Sequence, residues 1–311
     1  MSEAPLYAEV AQGPADGRAV WLTAADGVRI RAAVWNGSAR RGTVILLPGR
    51  TEYVEKYGRT ATVLAAAGYA TLSVDWRGQG LADRALKDRS VGHVRDFAEY
   101  QADMAALLDF ATRDGLPQPL YLLAHSMGGC IGLRSLMRGA PVRAAVFSAP
   151  MWGIVMPKGA RPLVQVVATA SGWFRFAHLR MPTTPVRTLV VDAPFAGNDL
   201  TTDEGMWDYM RAQAQAHPDL TLGGPSLGWM KAALQECAAL ARLPSPDCPM
   251  VCALGSLERI VEVAPIQDRV ARWPGARLDR YAGAEHEVLM ERQTHRDAFV
   301  ANATALFEAH R

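Results

Sequence analysis

Ser126 stands at a junction where a serine can act as a nucleophile. It follows the apolar run Leu120–Ala124 and precedes a helical pattern that opens with Met127, Gly128 and Gly129. A serine on a sharp strand-to-helix turn holds its Oγ exposed above the strand ends, and small neighbours let strand and helix pack closely. The pattern departs from G-x-S-x-G at its first position, where Ala124 replaces glycine. It predicts a nucleophile elbow, with a structural serine as the alternative.

A serine hydroxyl needs a neighbouring imidazole to accept its proton. In an elbow of this kind the chain order is serine, acid, histidine, so the base is expected after the last strand. Of the seven histidines, His286 follows the last strand-like run, Arg277–Tyr281, and is the predicted base. The others are assigned to the back of the elbow, a loop, an inserted segment or the last helix: His125, His93, His178, His217, His295 and His310.

The acid of such a triad is expected in the loop after the preceding strand. That strand is Met250–Leu254, and the loop that follows it contains Glu258. A carboxylate there would hold the imidazole tautomer and stabilise the imidazolium. Two alternatives are open: Glu258 is a surface residue paired with Arg259, or the acid is Asp268 in the following helix.

An oxyanion hole needs two backbone N–H groups aimed at the developing charge, and one comes from the residue after the nucleophile, Met127. The second is expected from the loop after the run Val44–Leu47. Arg50 is the predicted donor there, since Pro48 has no N–H and Gly49 supplies the bend. The alternative is that Pro48 and Gly49 only end a strand. A second turn, residues 75–80, is predicted to brace these loops through Asp75 and Arg77.

The elements that must position these groups alternate between strand and helix. A hairpin comes first, with strands at Ala19–Thr23 and Val28–Val34 around the Asp26-Gly27 turn. Further strands are predicted at Val44–Leu47, Tyr69–Val74, Leu120–Ala124, Val142–Phe147, Met250–Leu254 and Arg277–Tyr281. Helices are predicted at Lys56–Ala67, Phe97–Thr112, Met127–Arg138 and Glu291–Ala309. This alternation predicts an α/β fold with a mostly parallel central sheet flanked by helices.

The alternation stops at Pro150 and resumes at Met250. Residues 151–243 combine helix-like segments with aromatic residues: Trp152, Trp173, Phe174, Trp207 and Trp229. An insertion between two strands of one sheet accounts for this better than two sequential domains. We therefore predict a core of residues 1–150 and 244–311 and a helical lid of residues 151–243. Trp152, the first aromatic residue of the lid, is predicted at the pocket mouth as a substrate-binding residue.

Composition narrows the classes of function. The 311 residues carry a net charge of +2 without a basic run, which argues against a nucleic-acid partner. No segment reaches the ~18 apolar residues of a membrane helix, and no secretory signal is visible, so a cytoplasmic location is predicted. Cys130, Cys237, Cys248 and Cys252 include no C-x-x-C pair, so buried thiols are predicted and no metal or other cofactor.

The combined motifs resemble those of the bacterial lysophospholipase and monoacylglycerol lipase branch of the α/β-hydrolases, also grouped with serine aminopeptidase-like hydrolases. The resemblance implies Ser126 as nucleophile, His286 as base, Glu258 where the family usually has Asp, and Arg50 and Met127 as oxyanion donors. Pro48-Gly49 replaces the usual His-Gly of the oxyanion loop. The resemblance rests on Leu47–Glu52, Asp75–Gly80, Ala124–Gly129, Ser148–Met151, Glu258–Val261 and Ala284–His286.

These residues predict a serine hydrolase that cleaves esters of apolar acyl chains, with a small-molecule ester or lipid as its substrate and an oligomeric state left open. A non-catalytic ligand-binding relative is one alternative. Amidase or aminopeptidase action is another, and it needs lid carboxylates to bind a substrate amine. The candidates are Asp192, Asp199, Asp203, Glu204 and Asp208.

Overall fold

A single nine-stranded sheet organises the residues that the computed structural model describes, namely 2–157, 159 and 176–311. Its spatial order is β1-β2-β3-β5-β4-β6-β7-β8-β9. The strands are β1 (Ser2–Ala4), β2 (Arg18–Thr23), β3 (Arg29–Trp35), β4 (Thr43–Leu47), β5 (Ala70–Asp75), β6 (Leu120–His125), β7 (Ala145–Ser148), β8 (Met250–Gly255) and β9 (Arg277–Tyr281).

The sheet is antiparallel at one side and parallel through the remainder. β1, β2, β3 and β5 pair antiparallel, whereas β5, β4, β6, β7, β8 and β9 pair parallel. The predicted α/β fold class is therefore confirmed. β1 was not predicted, because its three residues, Ser-Glu-Ala, carry no apolar alternation.

The central strands are continuous apolar runs because both of their faces are covered. Along β4, Ile45 and Leu47 belong to one buried cluster, whereas Val44 and Leu46 belong to another on the opposite face. Burial on both faces is what parallel sheets require. The carboxyl ends of these strands carry the loops that contain the predicted site residues.

The helices lie close to their predicted positions. They are α1 (Ala8–Ala11), α2 (Gly58–Ala66), α3 (Ala98–Arg113), α4 (Met127–Met137), α5 (Leu189–Asp192), α6 (Glu204–Ala216), α7 (Leu227–Arg242), α8 (Val263–Ala271) and α9 (Gln293–Ala309). The helix predicted over Lys56–Ala67 is split, since Val54–Tyr57 form a 3₁₀ turn and α2 begins at Gly58. None of the described helices has both the length and the apolar character needed to cross a membrane.

The long segment between β7 and β8 leaves the sheet uninterrupted. Ala145 pairs with Met250, so the two strands are parallel neighbours although the chain makes a long excursion between them. The described residues of that excursion form α5, α6 and α7 and contain no strand. Arg134 of α4 binds Glu236 of α7 through two hydrogen bonds of 2.6 and 2.8 Å, which anchor the excursion to the sheet's helices. Trp173 and Phe174 lie outside the described residues.

Candidate active site

Ser126 occupies a strained turn between β6 and α4. Its backbone angles are φ +49° and ψ −116°, a region that costs a non-glycine residue about 1–3 kcal/mol. Hydrogen bonds from the neighbouring backbone hold the turn in this conformation. Ser126 N donates to Ser148 O at 3.0 Å, and Met151 N donates to Ser126 O at 2.8 Å. A Cβ at Gly128 would lie 2.2 Å from the carbonyl oxygen of Leu47, so the helix start approaches β4 at a distance only glycine permits.

A chain of hydrogen bonds joins a hydroxyl, an imidazole and a carboxylate. His286 Nε2 lies 3.0 Å from Ser126 Oγ, and His286 Nδ1 lies 2.7 Å from Glu258 Oε2. The side chains of His286 and Glu258 are 4% and 1% exposed, so water competes little for these contacts. The structure thus brings together the three residues that sequence analysis selected from three separate loops.

Glu258 is fixed through its second oxygen as well. Glu258 Oε1 accepts hydrogen bonds from the N–H groups of Ile260 (2.7 Å) and Val261 (3.0 Å). Burial alone would raise its pKa, but hydrogen bonding to His286, the charge of that imidazole and the two backbone donors together lower it below its ordinary value. A carboxylate held in this way stays ionised while it orients the imidazole.

Neither alternative for the acid matches the structure. Arg259 pairs with Asp199 at 2.9 Å and with Glu285 at 2.7 Å, and not with Glu258. Asp268 is exposed on α8 and lines a separate cavity.

Two backbone N–H groups near the elbow have no acceptor in the part of the chain that the structure describes. Met127 begins α4, and N–H groups in the first turn of a helix have no acceptor within the helix. Arg50 follows Pro48 and Gly49 after β4, and its N–H has no hydrogen-bond acceptor among the described residues. Both donors come from the segments that sequence analysis named.

The loop that carries Arg50 is braced from the turn after β5. Trp76 Nε1 donates to the carbonyl oxygen of Pro48 at 2.9 Å, and Gln79 Nε2 donates to that of Gly49 at 2.8 Å. Asp75 Oδ1 accepts from the N–H of Val54 at 2.9 Å. The sequence predicted that Asp75 and Arg77 brace these loops, but Arg77 binds Asp103 and Asp26 instead. It also missed Gln79, whose amide NH₂ donates to two carbonyl oxygens of this loop.

A buried ion-pair network lies behind the imidazole and was not predicted. Lys56 Nζ lies 2.7 Å from Glu52 Oε1 and 2.7 Å from Glu287 Oε2, and Tyr57 OH donates to Glu52 Oε2 at 2.5 Å. Burial opposes the charge on Glu52, yet Lys56 above all lowers its pKa to about 2. The sequence signals were the i, i+4 spacing of Glu52 and Lys56 and the position of Glu287 beside His286.

His125 lies in this network and not behind the elbow. Its Nδ1 is 3.1 Å from Ser148 O, and its ring centroid is 4.8 Å from that of His286. Burial lowers its pKa to about 3, so the ring is neutral at pH 7. Glu52, His125 and Glu287 form a group that could hold a metal ion, with ligand atoms within 4.8 Å of one another. The Lys56 ammonium already pairs with both of these carboxylates.

Replacing Lys56 with methionine is expected to destabilise the fold by about 3–5 kcal/mol at pH 7, because two buried carboxylates lose their counter-charge. Urea unfolding measures the change, with the exposed Lys87→Met as the control. Protonation relieves uncompensated carboxylates, so the deficit should shrink at pH 5. Equal stability of the two variants at pH 7 would contradict this account of the network.

A cavity of about 400 Å³ opens beside Ser126 and His286. This volume lies in the ~300–1,000 Å³ range typical of small-molecule sites. Its wall is largely apolar, and much of it comes from the excursion between β7 and β8: Leu189, Val190, Leu200, Met210, Leu222 and Met230.

The prediction for Trp152 needs correction. Trp152 is 4% exposed and is not among the residues that line this cavity. Its Nε1 donates to the carbonyl oxygen of Gly129 in α4 at 3.2 Å, and its ring packs against Phe147 at 5.2 Å. A buried indole N–H requires an acceptor, and the turn after β7 directs the side chain to the one in α4. The adjacent Met151 lines the cavity instead.

Comparisons with known proteins agree with this fold and give the family of the chain. The sequence profile of the Hydrolase_4 family, described as serine aminopeptidase, S33, matches residues 38–293. Lysophospholipase L2 of Escherichia coli is 30% identical over 300 residues, covering 93% of this chain and 87% of that protein. A monoacylglycerol lipase of Mycolicibacterium smegmatis is 29% identical, covering 85% of this chain and 88% of that protein.

Solved structures show the same architecture. A monoglyceride lipase of Saccharomyces cerevisiae aligns with a TM-score of 0.71 at 19% identity, covering 94% of this chain and 97% of that chain. A carboxyl esterase of Bacillus coagulans aligns with a TM-score of 0.74 at 14% identity, covering 94% and 98%. At these identities the two structures support the fold alone. By its family profile and its 30% identical relative, the chain belongs to the serine aminopeptidase, S33, family of α/β-hydrolases and is a serine ester hydrolase.

Proposed function

We propose that Ser126 attacks the carbonyl carbon of an ester while His286 Nε2 accepts the hydroxyl proton. The N–H groups of Arg50 and Met127 stabilise the oxyanion that forms. Collapse of the tetrahedral intermediate passes the proton from His286 to the leaving alcohol and leaves an acyl group on Ser126. Water then repeats the sequence and releases the acid, while Glu258 stays ionised throughout. The observation that carries the proposal is the 3.0 Å contact between His286 Nε2 and Ser126 Oγ.

The proposed substrate is an ester or lipid with one apolar acyl chain. The wall of aliphatic and methionine side chains supports this class, because burial of an acyl chain there removes apolar surface from water. Two relatives are named for the hydrolysis of lysophospholipid and of monoacylglycerol. Both of these substrates are esters with a single acyl chain.

An amidase or aminopeptidase specificity finds no support in the described residues. A substrate amine needs a carboxylate that faces the cavity. Glu52 and Glu287 do line it, but both are bound to Lys56. The acidic residues that sequence analysis selected for this role are not among the lining residues.

Residues 151–243 are proposed to act as a lid that contributes substrate binding while the core, residues 1–150 and 244–311, carries the chemistry. Support comes from the position of the segment between the neighbouring strands β7 and β8 and from its share of the cavity wall. Its backbone also contacts the base, since His286 N donates to Asp199 O at 3.3 Å.

Met230→Ala in this lid is expected to lower kcat/KM for a long-chain p-nitrophenyl ester about tenfold and to change that for p-nitrophenyl acetate little. The reason is that a lost apolar contact with the chain costs about 1–3 kcal/mol and acetate never makes it. Met137→Ala is the matched control, because Met137 is also a partly buried methionine against the main core cluster but does not line the cavity. Equal proportional losses on both esters would assign specificity to the core loops.

The function itself is tested with wild-type protein and a set of substrates. We expect covalent labelling by a fluorophosphonate and hydrolysis of single-chain esters, and little hydrolysis of aminoacyl amides. Absence of both labelling and hydrolysis would favour a non-catalytic ligand-binding protein. A preference for aminoacyl amides would instead favour the aminopeptidase specificity.

A cytoplasmic location stays a proposal. It is supported by the four cysteines, which are all free and buried. Detection of the protein in a membrane or periplasmic fraction would contradict it.

A further inference from the structure

The guanidinium of Arg50 is a cation in the wall of the active-site cavity, and none of the described carboxylates pairs with it. Its Nη2 donates to the carbonyl oxygen of Gly223 at 2.6 Å. Its Nε is buried without an acceptor, and no acceptor within the described part of the chain lies at hydrogen-bond distance from Nη1. The residue lines the same cavity as Ser126 and His286.

The guanidinium is held in place by neutral groups. It lies over the ring of Trp229, 5.2 Å from the centroid, and Trp229 Nε1 donates to Tyr100 OH at 3.2 Å. Burial lowers the pKa of Arg50 to about 10, so the group stays charged at neutral pH. A buried charge with unmade hydrogen bonds is costly, and an anion in the cavity would offset that cost.

The other cations that line the described cavity are already neutralised. Lys56 lies between Glu52 and Glu287. Arg187 pairs with Asp192. Arg50 is thus the lining cation that remains available to a charged substrate group.

We infer that Arg50 binds a phosphate in the alcohol part of the substrate, so that single-chain esters carrying a phosphodiester are preferred over uncharged ones. Arginine binds phosphate through charge-assisted N–H donors, and Arg50 Nη1, which is not buried, supplies two unused N–H groups. The backbone N–H of the same residue is the proposed oxyanion donor. The distance between the bound phosphate and the ester carbonyl would therefore be about the length of one arginine side chain. In a lysophospholipid the phosphate lies only a few bonds from the ester. The inference rests on the proposed function.

The test compares two substrates with the same acyl chain, lysophosphatidylglycerol and monoacylglycerol. Wild-type protein is expected to have the higher kcat/KM on the phosphate-bearing ester. Arg50→Met should lower the ratio of kcat/KM on the phosphate-bearing ester to kcat/KM on the uncharged ester about tenfold or more. This is the effect expected from the loss of one charge-assisted hydrogen bond. Arg50→Lys should give an intermediate ratio, because an ammonium retains the charge but not the paired donors.

The matched control is Arg187→Met, which removes a lining arginine that already has a carboxylate partner and should leave the ratio unchanged. Thermal unfolding checks that every variant is folded. Arg50→Met lowering both kcat/KM values equally would overturn the inference and leave the proposed function standing. Wild-type protein inactive on both esters, and unlabelled by a fluorophosphonate, would overturn the proposed function itself.

Competition distinguishes a lipid head group from free phosphate as the source of the anion. Glycerol 3-phosphate should inhibit hydrolysis of the uncharged ester at lower concentration than either glycerol or inorganic phosphate, and Arg50→Met should abolish that difference. Inorganic phosphate inhibiting as well as glycerol 3-phosphate would contradict a head-group site.

Discussion

Ser126→Ala is expected to lower kcat on every ester by about six orders of magnitude, since loss of the nucleophile in a serine hydrolase removes the covalent step and leaves only binding and oxyanion stabilisation. The fold should survive, because the hydrogen bond recorded for Ser126 Oγ goes to His286 and the backbone of the turn is held by Ser148 and Met151. Single-turnover hydrolysis and fluorophosphonate labelling measure the loss.

Ser135→Ala is the matched control for this change. Ser135 is a buried serine of the same helix, α4, and lies in its last turns, away from the cavity. It should keep wild-type kcat and labelling. Persistent labelling of the Ser126→Ala protein at another residue would show that the nucleophile has been misassigned.

The candidate site was predictable where local sequence determines local geometry. The run Leu120–Ala124 predicts a buried strand, and a serine followed by Met127, Gly128 and Gly129 then predicts the elbow. The chain order of the triad restricts His286 and Glu258 to the loops after β9 and β8. These inferences need no knowledge of side-chain contacts, because parallel strands bring their carboxyl ends to one edge of the sheet.

What sequence analysis missed depends on contacts between distant loops. Lys56 joins Glu52 to Glu287 across the whole chain, and only the folded sheet brings the two loops together. The prediction that Trp152 lies at the pocket mouth was wrong for a related reason. Aromatic character predicts burial but not direction, and the turn after β7 aims the ring at α4 and not at the cavity.

Arg50 illustrates the same limit within one residue. Its backbone role was inferred from the bend at Pro48 and Gly49, which is local. The course of its side chain depends on Gly223 and Trp229 from the segment between β7 and β8. A motif can therefore predict the chemistry of a site while the groups that select the substrate come from elsewhere in the chain.

Glu258→Gln is expected to lower kcat by about 10⁴ while the protein stays folded. Glu258 Oε1 accepts from the N–H groups of Ile260 and Val261, and a glutamine oxygen can keep both bonds. The amide NH₂ would then take the place of Glu258 Oε2, which lies 2.7 Å from His286 Nδ1. It would donate to that nitrogen and force the proton onto Nε2, the wrong tautomer to accept a proton from Ser126.

Control of the His286 tautomer distinguishes Glu258 from a residue that only supports the loop. Glu258→Asp keeps the charge but draws the carboxylate back by one methylene, so its kcat should fall between those of the wild type and the Gln variant. Asp268→Asn serves as the control, because Asp268 is exposed and lines a separate cavity. It should retain wild-type kcat. A large loss in Asp268→Asn together with a small loss in Glu258→Gln would show that the acid lies on α8. Equal, modest losses in all three variants would mean that the 2.7 Å contact orients the loop without controlling the proton on His286.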